Sequence, residues 1–80
     1  MNILPESAPK EAVIRAFEEL GYRLVRQGTH IALSYQTTSG VQFPLTMPDR
    51  STYSSNTLRS ILSRAGIARK DFLEAFSKTE

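Results

Sequence analysis

The chain has 80 residues, 40% apolar and 22% charged, with ten Lys and Arg against eight Asp and Glu for a net charge of +2. That length supplies one domain with one modest core, over residues 1–80, and the composition is that of a folded chain and not a disordered one. With no cysteine and a single histidine, a disulfide framework, a thiolate zinc site and a histidine-rich metal centre are all excluded.

The opening "MNILPESAPK" lacks a basic n-region and a long apolar run, so no signal peptide is expected. No stretch approaches the roughly 20 apolar residues that span a bilayer, and a reducing, cytoplasmic setting without membrane contact follows. "PKEAVIRAFEELG" (9–21) predicts an amphipathic helix, with Val13, Ile14, Phe17 and Leu20 on one face. Pro9 suits its first turn and Gly21 the position just past its last. "YRLVRQ" (22–27) reads as a strand ended by Gly28. "HIALSYQT" (30–37) alternates, with Ile31, Leu33 and Tyr35 on one side and His30, Ala32, Ser34 and Gln36 on the other. After a turn at 38–40, "VQFPLTM" (41–47) sets Val41, Phe43, Leu45 and Met47 one way. Pro44, which has no N–H to donate, marks an edge or a bulge.

"PDRSTYSS" (48–55) is a polar loop leading to a helix over 56–66, where Leu58, Ile61, Leu62 and Ala65 form the apolar stripe. Ser55 or Asn56 can cap its start, and Gly66 before Ile67 suits a Schellman ending. A short closing helix, 69–77, carries Phe72, Leu73 and Phe76 on one side. The order helix, three strands, helix, short helix predicts a small α+β sandwich, with a three-stranded antiparallel sheet covered by helices on one face. If Ile31, Leu33 and Tyr35 face the helices, His30 turns outward.

Little in the chain supports conventional catalytic machinery. There is no Gly-x-Ser-x-Gly elbow and no Gly-rich phosphate loop, and the adjacent Glu18 and Glu19 cannot share a helix face. Phe17, Tyr22, Tyr35, Phe43, Phe72 and Phe76 sit at core-periodic positions. Tyr53, in the polar loop, could either stack on a base or staple the fold. Charge is more informative. Between Gly21 and Lys70 there is one acid, Asp49, against Arg23, Arg26, Arg50, Arg59, Arg64, Arg69 and Lys70. On the 56–66 helix, Asn56, Arg59, Ser60, Ser63 and Arg64 are left toward solvent, either to hold a phosphate near the first turn or simply to keep the helix soluble. One reaction needs little more than a histidine beside cations: RNA cleavage by the ribose 2′-OH. The substrate carries its own nucleophile, His takes or gives the proton, and Arg or Lys stabilises the crowded phosphate. It requires no metal and no cofactor.

The strings "GYRLVRQGTHIAL", "PLTMPDR" and "NTLRSILSRAGIARKDFL" resemble the HicA-type mRNA interferase toxins, also called YcfA-like proteins, over about residues 10–76. The most specific parts are the Gly-[Ser/Thr]-His triplet at Gly28, Thr29 and His30 and the helix from Thr57 to Ile67. The resemblance implies a dsRBD-like fold, endoribonuclease activity on mRNA with His30 as the catalytic residue, and a HicB-type antitoxin as partner. The RNA- and phosphate-binding candidates are Arg26, Gly28, Thr29, Arg50, Asn56, Thr57, Arg59 and Arg64. Many relatives carry a second His after the Pro that follows the third strand, where this chain has Asp49 and Arg50. That departure keeps a second expectation open, a catalytically silent dsRBD-like module that binds RNA or antitoxin.

Overall fold

In the computed structural model the described residues are 3–78; the ends included in the single-domain reading, Met1, Asn2, Thr79 and Glu80, lie outside them. Helix α1 (Lys10–Glu19) buries Val13, Ile14, Ala16 and Phe17, the face that the periodicity predicts. Pro9 precedes the helix in extended conformation and is not part of its first turn. With Ala8 it forms β1 (Ala8–Pro9), which pairs antiparallel with β5 (Thr52–Tyr53), inside the segment expected to be loop.

The chain turns into β2 (Tyr22–Gln27) through Gly21, whose φ of +103° is open to glycine at little cost. A Cβ there would also stand 2.7 Å from the Tyr35 ring. Gly21→Ala should therefore cost about 1–3 kcal/mol in urea unfolding from backbone strain, with a further loss from the ring. Gly40→Ala is the control, since Gly40 (φ +91°) has nothing within 4 Å of the added carbon and reports strain alone.

The sheet has the order β2-β3-β4, antiparallel throughout, with β3 (His30–Gln36) central and β4 (Gln42–Pro48) at an edge, where Pro44 is tolerated opposite Ser34. Ile31, Leu33, Leu45 and Met47 are buried against the helices. Val41 and Phe43 share that side but are each 52% exposed, Phe43 lining an open groove with Leu20, Ala65 and Ile67 of the helix layer. Phe43 instead ends a row of ring contacts that runs out of the core from Phe17 through Tyr22 and Tyr35. In β2 the register shifts between Leu24, opposite Leu33, and Arg26, opposite Ala32; Val25 is the extra residue of a β-bulge.

Helix α2 (Ser55–Ala65) begins one residue earlier than expected. Its cap is Ser54, not Ser55 or Asn56: the Ser54 Oγ accepts the Thr57 amide at 3.3 Å. It ends as expected, with Gly66 left-handed, the Ile67 amide on the Leu62 carbonyl (2.9 Å) and the Gly66 amide on that of Ser63 (3.3 Å). Leu58, Ile61 and Leu62 close the core from this side. Helix α3 (Arg69–Ser77) adds Phe72, Ala75 and Phe76, while Leu73 is only half-buried. Tyr53 is a core residue, wholly buried, with its hydroxyl donating to the Pro48 carbonyl. Burial raises its phenol above the ordinary value. It staples the fold; base stacking is ruled out for a ring with no exposed face.

Candidate functional site

His30 opens the central strand and stands across from Pro48, the last residue of β4, with its side chain exposed. The turn before it is tight: the Gly28 amide donates to the His30 carbonyl at 3.1 Å. Gly28 does not adopt a left-handed conformation, and a Cβ on it would meet nothing within 4 Å. The fold therefore gives no reason for glycine at this position, and the space beside Gly28 is open.

The chain after Pro48 is pinned on several sides. The Asp49 amide donates to the Thr29 carbonyl (3.4 Å), a long bond that continues the pairing of β3 and β4. The Lys10 amide donates to the Ser51 carbonyl (3.0 Å), and Lys10 Nζ donates to Asp49 Oδ1 at 2.9 Å. That bond to the carboxylate holds the Lys10 ammonium above its ordinary value, so it is charged at neutral pH. With Tyr53 fastened to Pro48 from below, the rim beside His30 is a braced loop. Arg50 lies within it, exposed.

Lys10 is a residue of this rim that sequence reasoning missed. It lies 39 positions from Asp49, and only the two-residue pairing of β1 with β5 brings the start of α1 to this loop. Asp49, which with Arg50 occupies the place where the resemblance would put a second His, is thereby ion-paired.

The other candidates fall into two places. Arg26 stands opposite Ala32, on the open face of the sheet that also carries His30. Asn56 and Arg59 are exposed on α2, in the helix layer. Thr57 is half-buried and engaged by Ser54 through both its amide and its hydroxyl, so its side chain serves the cap. Arg64 reaches the β4 edge, where it lines a shallow groove with Pro44, Leu45, Thr46, Ile61 and Ala65. The site thus offers one imidazole for proton transfer and several cations that could face a phosphate. Among the described residues no group of three or more His, Asp or Glu could hold a metal ion, and no helix is long and apolar enough to cross a membrane.

No curated protein and no solved structure matches the chain significantly. A family model does, described as the HicA toxin of bacterial toxin-antitoxin, over residues 11–67. That span runs from the first turn of α1 through the residue that closes α2, and it holds the whole sheet together with Gly28, Thr29 and His30. With well over half of the chain matched, and the sheet and helix order in agreement, this protein belongs to the HicA toxin family of bacterial toxin-antitoxin systems.

Proposed function

We propose that this toxin is a metal-independent endoribonuclease that cuts mRNA in the cytoplasm, with His30 as general acid or base. The observation that carries the reading is the exposed His30 beside a glycine that the fold does not require, which leaves room for a sugar-phosphate backbone at the imidazole. The ribose 2′-oxygen attacks the neighbouring phosphorus while the bond to the 5′-oxygen breaks. A proton leaves the 2′-OH and one is delivered to the departing 5′-oxygen; His30 handles one of these transfers. Thr29, Arg26 and Arg50 flank the reacting phosphate, and Asn56, Thr57, Arg59 and Arg64 hold phosphates further along, Thr57 from within its cap. The family implies an antitoxin partner; a HicB-type protein that covers His30 would silence the site.

One observation favours a second reading. Asp49 and Arg50 stand where the resemblance would put a second His, and Asp49 is committed to Lys10, so this place offers neither an imidazole nor a free carboxylate. A silent RNA- or antitoxin-binding module would look the same. Purified protein with single-stranded RNA separates the two. Cleavage should proceed undiminished in EDTA and leave a 2′,3′-cyclic phosphate. Intact RNA after prolonged incubation would hand the case to the silent module.

A further inference from the structure

We infer that the RNA strand runs along the open face of the sheet, away from His30 toward Gln36, with Arg23 as an additional phosphate contact beside Arg26. This rests on the reading of the chain as an RNA-cutting toxin.

The bulge in β2 is the starting point. In a regular strand, residues three apart point to opposite faces. Arg23 nevertheless lies across from Ser34 and Arg26 across from Ala32, and both partners share the open side of β3 with His30. The extra residue, Val25, absorbs the parity change, so two arginines that regular pairing would separate stand on one face. Both are exposed.

The rest of that face suits a phosphate chain. The three strands contain no Asp or Glu at all. Beside His30, β3 and β4 offer Ala32, Ser34, Gln36, Gln42, Thr46 and prolines, a surface of small polar groups able to hydrogen-bond bases and sugars. The β3 and β4 residues on it include no aromatic or large aliphatic side chain, and the exposed apolar groups near it, Leu24 and Val25, are on β2. A shallow groove crosses it at the far end, lined by Arg23, Leu24, Val25, Ser34, Gln36 and Gln42. Asp49, at the rim beside His30, is ion-paired to Lys10, and Glu11, Glu18 and Glu19 on α1 and Asp71 and Glu74 on α3 lie in the opposite layer. With Arg23 and Arg26 exposed on it and no acid in its strands, the sheet face attracts a polyanion. From His30 to Ser34 is about 13 Å at about 3.3 Å per residue, room for about four stacked nucleotides.

The test measures binding of an unstructured oligoribonucleotide to His30→Ala protein across a KCl series. Adding Arg23→Gln should weaken binding about fivefold at 0.1 M KCl and lower the log–log salt slope by about 0.7, the contribution of one single-strand phosphate. Arg23→Lys should restore most of the slope. Arg15→Gln, which removes an exposed cation from α1 among Glu18, Glu19 and Lys78, should change neither. RNA that binds with an unaltered slope in Arg23→Gln, while protein with His30 intact still cuts, overturns the path and leaves the nuclease standing. Wild-type protein that neither binds nor cuts RNA overturns both. Unchanged RNA binding with a weakened antitoxin complex would make this face a protein interface and overturn the inference.

Discussion

Replacing His30 with alanine should reduce RNA cleavage by about 10² to 10⁴ while leaving the fold and antitoxin binding in place. The size follows from His30 being the chain's one imidazole. Loss of one cation among several costs affinity, whereas loss of the proton-transfer group removes a term from the transition state itself. The fold should be indifferent, because the side chain is exposed and its structural part, the carbonyl that accepts the Gly28 amide, belongs to the backbone. The measurement is single-turnover cleavage of a labelled RNA at saturating protein, with circular dichroism and antitoxin pull-down alongside. Equal cleavage by His30→Ala would refute the assignment, and loss of cleavage together with loss of helicity would make it a folding effect.

The parts of this molecule that were legible in its sequence are those governed by local period. The strand over 30–36 alternates without a break, and Ile31 and Leu33 are buried while His30 is exposed. Gly66 and Ile67 close α2 as their order predicts because the Schellman ending is set by adjacent residues. Period gives the side on which a residue lies, and not how far the opposing layer extends. Val41 and Phe43 therefore have the expected parity and an unexpected exposure. The cap was displaced by one because Ser54, Ser55 and Asn56 follow one another and each can accept an amide; only the backbone shows that Ser54 does.

The site was legible only in part, for related reasons. His30 stood out as a unique residue type in a short motif. Lys10 could not, because its partner is 39 positions away and the strands that join them are two residues long, too short for any periodicity. Arg23 was hidden by the bulge: counting by twos from Arg26 puts it on the wrong face, and nothing within "YRLVRQ" announces that Val25 is an extra residue. Long-range pairing and register shifts assembled the surroundings of His30, and neither leaves a local mark.

Phe72→Ala should be the most damaging single substitution outside the site, costing about 3–5 kcal/mol of stability. Phe72 lies on α3, past the last residue of the family match, yet it is wholly buried. Its ring stands 5.5 Å from that of Phe17 and 5.7 Å from that of Phe76, so truncation opens a cavity between α1 and α3 that both helices must share. For 80 residues a total stability of about 4–12 kcal/mol is ordinary, and the loss is thus a large part of the whole. The effect also reaches the site. Phe17 is on α1, and the first residue of α1 is Lys10, which braces the Asp49 loop beside His30. Urea unfolding should show a much lower midpoint with little change in slope, and Leu73→Ala, at a half-buried position on the same helix, should show a smaller shift. In the cold, where Phe72→Ala protein is still folded, it should retain cleavage, because His30 is carried by the sheet; on warming, activity should fall with the helices, well before the wild type loses either. A loss below about 1 kcal/mol would show instead that α3 is an ornament on a core complete without it.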